Sequence, residues 1–150
     1  MYPVRREFFF TVPVKPVGKA RHRTARLKSG KTVSYIDLNT RGDIETFVTY
    51  ARPSAPAAPL DCAIELNVLV CISIPVSWPK KKILQAMSGE LMPTKKPDFD
   101  NYLKFASDCL NGLYWIDDCQ VIKSTSLKIY SDFPRWEIKI KEITCLADLE

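Results

Sequence analysis

Four aspartates form two tight clusters in the second half of the chain: Asp98 with Asp100, and Asp117 with Asp118. A single helix-like segment separates the clusters, so folding can bring them together. Two carboxylates about 4 Å apart repel each other by roughly 4 kcal/mol at an effective dielectric constant of about 20. Such a group stays fully ionised only with a cation among its members, and oxygen ligands suit Mg²⁺ or Mn²⁺. The pattern therefore predicts a divalent-cation site.

Each cluster also fits a purely structural role. Asp98 stands where a helix is predicted to begin, so it fits an N-cap, and Asp100 fits a first-turn acid that the helix dipole favours. Asp117 and Asp118 precede a predicted strand and fit a polar turn. Lys104 shares a helix face with Asp100, where it can form a surface ion pair or contact a reacting phosphate. The residue types alone leave these alternatives open.

Several other chemistries do not fit the sequence. Counted from Asp98, the sixth residue of an EF-hand loop would be Leu103 rather than glycine, and the twelfth would be Cys109 rather than glutamate. There is no phosphate-binding glycine loop, and a lone histidine, His22, argues against a serine or cysteine triad. The 5 cysteines include no Cys-x-x-Cys pair, which disfavours structural zinc and favours reduced thiols in a cytosolic protein.

The charge distribution favours a polyanionic partner. The chain has 22 basic and 17 acidic residues, a net charge of +5. The first basic cluster contains no acidic residue and consists of Lys15, Lys19, Arg21, Arg23, Arg26, Lys28 and Lys31. Residues 80–82 and 95–96 are two further runs of lysine. Such clusters are typical of nucleic-acid-binding surfaces, although a solvated basic loop has the same composition.

The hydrophobic pattern predicts one α+β domain over residues 1–150. Two-residue alternation is longest over residues 63–74, which we expect at the centre of a mixed or antiparallel sheet. Further strands are predicted at residues 8–14, 32–36, 120–130 and 136–140. Helical spacing predicts two to three helices: one capped by Asp37 or Asn39 that ends near Ala51, one over residues 79–87 and one over residues 98–111.

The connections complete this description. Residues 131–134 are predicted to form a hairpin turn between the last two strands, and residues 53–59 a proline-rich surface loop. Residues 144–150 are expected to be a flexible tail. No apolar run approaches the roughly 20 residues of a membrane span, so we expect a cytoplasmic protein with no membrane contact.

The acidic motif and the residues around it carry a family resemblance. It comprises Pro97-Asp98-x-Asp100-Asn101-x-x-Lys104, then Asp108-x-Leu110-Asn111-Gly112-x-x-Trp115-x-Asp117-Asp118-x-Gln120-Val121. Weaker agreement lies in the N-terminal half, at Lys19-Ala20-Arg21-His22-Arg23 and a later Tyr35. Together these residues closely resemble the RusA family of Holliday junction resolvases.

The resemblance implies a small homodimeric endonuclease that needs a divalent cation, Mg²⁺ or Mn²⁺. It would cut four-way DNA junctions by paired nicks during recombination and repair. The family's essential aspartates fall on Asp98, Asp100 and Asp118, with Asp117 as a supporting or alternative metal ligand. The essential lysine falls on Lys104, which would stabilise negative charge on the reacting phosphate.

The same resemblance assigns the basic segments to DNA. The residues expected to bind the DNA backbone are Lys19, Arg21, Arg23, Lys95 and Lys96. A cytoplasmic enzyme of a prokaryote or a phage is implied. Two alternatives stay open: a non-catalytic DNA-binding protein whose acids cap helices and turns, and a nuclease of the same type that acts on other branched DNA.

Overall fold

The computed structural model describes residues 5–19, 23–36 and 38–150 of the chain. Within these ranges the strands and helices are, in chain order, β1 (Glu7–Val12), β2 (Arg23–Arg26), β3 (Thr32–Tyr35), α1 (Leu38–Ala51), β4 (Ala63–Ser73), α2 (Lys80–Ser88), α3 (Phe99–Leu110), β5 (Val121–Ser131) and β6 (Arg135–Ile143). Short 3₁₀ turns lie at Arg52–Ser54, Asp118–Gln120 and Leu146–Leu149. The predicted α+β class, with a mixed sheet and three helices, is confirmed.

Strand β4 lies inside the main sheet, as its alternation predicts. The sheet has the order β1-β6-β4-β5, so β4 pairs with a strand on each side. It is antiparallel to β6 and parallel to β5. Its alternate residues Ile64, Leu66, Val68 and Val70 are all buried. Parallel neighbours need a long crossover connection, and here the segment containing α2 and α3 supplies it.

The predicted hairpin between the last two strands is wrong. Strands β5 and β6 do not pair with each other, because β4 lies between them. Residues 131–134 instead carry the chain past the end of β4, where Cys71 pairs with Arg135 and Ser73 pairs with Ser131. Strands that follow each other in the sequence often, but not always, lie next to each other in the sheet. The more apolar β4 takes the interior position between them.

Helices α1 and α3 contribute to an aromatic core against this sheet. Trp136 of β6 is fully buried, with the ring of Phe105 from α3 stacked on it at 5.6 Å between centroids. Phe47 from α1 meets the same indole edge-on at 5.4 Å, and Tyr102 from α3 does so at 5.7 Å. Such pairs add about 0.5–1.5 kcal/mol each beyond the burial of their area. The core therefore fixes α3 firmly in place.

Strands β2 and β3 form a separate two-stranded ribbon whose residues are all exposed. The strand predicted at residues 32–36 matches β3, whereas we predicted no strand at the position of β2. Of the two predicted caps of α1, Asn39 is wrong, because it lies inside the helix that begins at Leu38; Asp37 lies outside the described residues. None of the helices in the described ranges has the length and apolar character to cross a membrane.

The C-terminal residues 144–150, which we expected to be a flexible tail, have regular local structure. They contain a 3₁₀ turn held by the buried carboxylate of Asp148. That carboxylate accepts hydrogen bonds from the backbone N–H groups of Thr144 and Cys145, and it forms an ion pair with Arg5. The hydrogen bond from the Thr144 backbone is the main reason why the pKa of Asp148 lies well below its usual range.

Candidate active site

The first acidic pair lies at the N-terminal end of α3. Asp98 is the N-cap residue, with extended backbone geometry, but its side chain makes no capping hydrogen bond. Only its backbone carbonyl accepts from the N–H groups of Asn101 and Tyr102. Asp98 and Asp100 are both exposed. Asp98 therefore occupies the N-cap position that we considered from the sequence, while its carboxylate remains available for another ligand.

Strand β5 anchors the segment that leads into this helix. The Nζ of Lys128 donates to the carbonyl oxygens of Lys95 and Pro97, at 2.7 and 3.0 Å. The hydroxyl of Ser126 donates to the carbonyl of Phe99 at 3.2 Å. The peptide bond between residues 96 and 97 is cis. The acidic pair is thus attached to the main sheet as well as to α3.

Asp118 is oriented toward the same helix by two hydrogen bonds. Its Oδ1 accepts from the Ser107 hydroxyl of α3 at 3.1 Å and from Nε1 of the buried Trp115 at 2.9 Å. Its Oδ2 lies 3.9 Å from the Nζ of Lys104. One carboxylate oxygen is therefore fixed by neutral donors, and the other is directed toward a cation.

The adjacent Asp117 has different surroundings. It precedes the 3₁₀ turn at Asp118–Gln120, and its backbone N–H donates to the side-chain oxygen of Gln120 at 2.8 Å. The amide of Gln120 in turn donates to the carbonyls of Leu60 and Cys62. The polar-turn alternative describes Asp117 well. Among the contacts of the described residues, Asp118 is the member of this pair that is bonded to α3.

Lys104 stands between two carboxylates. Its Nζ lies 3.2 Å from Asp108 as well as 3.9 Å from Asp118. Asp108 also contacts the Nζ of Lys19 at 2.9 Å. Positive and negative groups therefore alternate from the basic segment to the acidic one. Exposed pairs of this kind contribute only about 0–1 kcal/mol each to stability, so their main effect is on position.

A cavity of about 200 Å³ opens beside these groups. Asp100, Lys104 and Ser107 line one side of it, because residues spaced by four and three positions share a helix face. The rest of its lining consists of Leu66, Leu103, Val121 and Ser124. Ser107 connects the cavity to Asp118 through its hydrogen bond. Sequence analysis did not identify Ser107, although its spacing from Asp100 was a usable signal.

The predicted convergence of all four carboxylates is not seen. Across residues 5–19, 23–36 and 38–150 there is no group of three or more histidine, cysteine, aspartate or glutamate side chains placed to hold a metal ion. The structure gathers Asp100, Lys104 and Asp118 around α3, while Asp98 stands at the start of the helix. The donor chemistry nevertheless fits Mg²⁺ or Mn²⁺, because these are carboxylate oxygens and the Asp98 side chain is not used as a cap.

The predicted DNA-binding residues lie near this site only in part. Lys19 is bound to α3 through Asp108 and through its backbone N–H, which donates to the carbonyl of Asn101 at 3.2 Å. Lys95 and Lys96 are exposed on the segment that leads to the acidic pair. Of the other two predicted residues, Arg23 is exposed at the start of β2, and Arg21 falls outside the described residues.

Comparisons with known proteins agree with this description. The family model of the endodeoxyribonuclease RusA matches residues 13–141. An uncharacterized protein of Bacillus subtilis (strain 168), YqaN, is 34% identical over 137 residues, which cover 90% of this chain and 96% of that protein. The chain therefore belongs to the RusA family of endodeoxyribonucleases, and the resemblance in its acidic motif is confirmed.

Proposed function

We propose that this protein is a divalent-metal-dependent endonuclease that resolves four-way DNA junctions by paired nicks. The observation that carries the proposal is the arrangement around α3. One helix face presents Asp100, Lys104 and Ser107 to a cavity, and Ser107 fixes the carboxylate of Asp118 beside them. Acids with an adjacent lysine and a basic segment suit phosphodiester hydrolysis better than binding alone, because a pure DNA-binding surface gains nothing from clustered carboxylates.

Asp98, Asp100 and Asp118 would hold Mg²⁺ or Mn²⁺, with Asp117 as a supporting ligand. When bound, the metal supplies an activated water and neutralises charge on the phosphate. Lys104 contributes a second positive charge at the point where negative charge develops in the transition state. Ser107 and Trp115 keep Asp118 in one orientation, and pre-organised ligands of this kind lose little freedom during the reaction.

Basic residues hold the DNA backbone in this proposal. The residues proposed for this contact are Lys19, Arg21, Arg23, Lys95 and Lys96. Because binding to phosphates releases counterions, affinity should depend steeply on salt; 6–10 contacts imply a loss of roughly 10³–10⁵ between 50 and 200 mM. We expect a homodimer, since two symmetric subunits can place one site on each of two equivalent strands. The proposed substrate is branched DNA in the cytoplasm of a prokaryote, where the enzyme is encoded by the cell or by a phage.

The test is cleavage of a synthetic four-way junction with Mg²⁺. We expect the parent to nick the junction in pairs, and Asp98→Asn and Asp118→Asn to bind it without cutting it. Asp43→Asn, a substitution of an exposed acid on α1, is the matched control and should cut like the parent. Equal cleavage by the parent and the Asp98 and Asp118 variants, or cleavage by none, would contradict the proposal.

The two alternatives make different predictions in the same assay. A non-catalytic DNA-binding protein binds the junction but produces no nicks with any metal. A nuclease that prefers other branched DNA cuts a flap substrate faster than a four-way junction when the two compete. The presence of nicks therefore separates the nucleases from the binding protein, and competition between the substrates at equal concentration separates the two nucleases.

A further inference from the structure

The cavity beside α3 has a composition that the metal site does not explain. Its walls are apolar, formed by Leu66 of β4, Leu103 of α3 and Val121 of β5, while Asp100 and Lys104 stand at one side. At about 200 Å³ it is smaller than the roughly 300–1,000 Å³ of pockets for drug-sized ligands. Apolar walls with a few polar groups are typical of a site for one small, flat or compact moiety.

The serines around this cavity differ in what they bind. The Ser107 hydroxyl donates to Asp118, and the Ser126 hydroxyl donates to the carbonyl of Phe99. Ser124, an exposed residue of β5, also lines the cavity, and within the described parts of the chain no hydrogen bond involves its hydroxyl. It pairs with Leu66 in the β4–β5 register, so the two side chains lie on the same face of the sheet. The Ser124 hydroxyl is therefore a polar group at the cavity that the fold itself does not use.

We propose that this cavity receives the base of the nucleotide next to the cleaved phosphate, and that Ser124 hydrogen-bonds to the edge of that base. The inference rests on the proposed nuclease function. A phosphate bound by Lys104 would have its attached nucleoside beside the cavity, because Lys104 and Asp100 both line it. The aliphatic walls offer contact to the faces of a base, and the hydroxyl of Ser124 can donate to or accept from its edge. The cavity thus makes the rate of cleavage depend on that nucleotide.

The test removes the base and alters the cavity in the same experiment. Cleavage positions are first mapped on a four-way junction, and single-turnover rates are then measured with an abasic replacement on either side of the scissile phosphate. The protein variants are Ser124→Leu, which fills the cavity, and Ser124→Ala, which removes only the hydroxyl. Ser54→Ala, at an exposed serine beyond α1, is the matched control.

In the parent we expect one of the two abasic replacements to slow cleavage at least about tenfold. Ser124→Leu should cut intact DNA about as slowly as the parent cuts the abasic junction, and it should show no further loss on the abasic one. Ser124→Ala should lose about 2- to 12-fold on intact DNA, the range for one neutral hydrogen bond of about 0.5–1.5 kcal/mol. Ser54→Ala should behave as the parent.

The outcomes separate the inference from the proposed function. A parent that cuts the junction, but with an abasic effect that is absent or equal in the parent and Ser124→Leu, overturns the cavity assignment alone. A parent that cuts no branched substrate overturns both. Thermal unfolding of each variant identifies misfolding, and Ser124→Ala provides the same comparison if Ser124→Leu fails to fold.

Discussion

Gly18 provides a direct test of how the basic segment is attached to the acidic motif. A Cβ atom at this position would lie 2.9 Å from the Cβ of Pro97, 3.2 Å from its Cγ and 3.5 Å from the Cβ of Asn101. The first of these distances is too short for two carbon atoms, so Gly18→Ala forces the segment and the turn before Asp98 apart. Glycine is needed here for close approach.

The size of the effect follows from two opposing contributions. Adding a methyl group to a packed contact costs typically 1–3 kcal/mol in the free energy of unfolding. A glycine-to-alanine change also lowers the conformational entropy of the unfolded chain, which stabilises the folded state by about 0.4–1 kcal/mol. We therefore expect Gly18→Ala to destabilise the protein by about 1–2 kcal/mol, which at this chain length lowers the melting temperature by roughly 2–8 °C.

Gly42→Ala is the matched control, because a Cβ there meets nothing within 4 Å and the residue lies inside α1. Replacing a helical glycine in this way should stabilise by roughly 0.5–1 kcal/mol. Both variants are measured by urea unfolding and by junction cleavage. Opposite signs of the change in unfolding free energy are the expected result. If Gly18→Ala is as stable as Gly42→Ala and cleaves normally, the close packing of residues 15–19 on the acidic motif is refuted.

Three further predictions concern other parts of the chain. Ser107→Ala removes one of the two donors to Asp118 Oδ1. A hydrogen bond to a charged group contributes about 1.5–3 kcal/mol, so we expect kcat for junction cleavage to fall about 10- to 160-fold, with an unchanged Kd for the junction. The lowered pKa of Asp148 means that its stabilisation is present above the unfolded-state pKa of about 4 and is lost as the pH falls through the folded pKa. We therefore expect the Asp148→Asn variant to have a lower free energy of unfolding than the parent at neutral pH, and to lose less of it on acidification. Urea unfolding at a series of pH values measures both differences. Burial raises the pKa of the Cys109 thiol to about 12. We therefore expect a disulfide reagent at pH 8 to modify the exposed Cys119 quickly and Cys109 only after unfolding. Cys→Ser variants at each position will show which thiol reacts.

The fold was predictable wherever one local pattern determined the outcome. The alternation along β4 predicted an interior strand, and the helical spacing over residues 98–111 predicted α3, in which Tyr102, Phe105 and Leu110 are buried. Both follow from the geometry of a single element, which sequence spacing records directly. The insertion of β4 between β5 and β6 depends on long-range pairing instead, and no residue in the 131–134 turn records it.

The candidate site was predictable in its residue types but not in its connections. The acids and Lys104 stand out because clustered charges need compensation. The partners that orient them do not stand out, since Ser107 and Asp108 are ordinary polar residues of an amphipathic helix. The link from Lys19 through Asp108 to Lys104 joins residues far apart in sequence, and only the folded chain brings them together.

Helix α3 explains why the site and the core have to be considered together. Its buried face packs Phe105 on Trp136 and Phe47, while its opposite face carries Asp100, Lys104 and Ser107. A rotation of the helix that moved the acids would therefore also break the stacked aromatic contacts, and cores lose 1 kcal/mol or more for small packing errors. The aromatic core consequently restrains the position of the acidic groups far more strongly than their own exposed ion pairs do. The proposed chemistry, which needs carboxylates at fixed positions, would thus depend on a helix that the aromatic core holds in place.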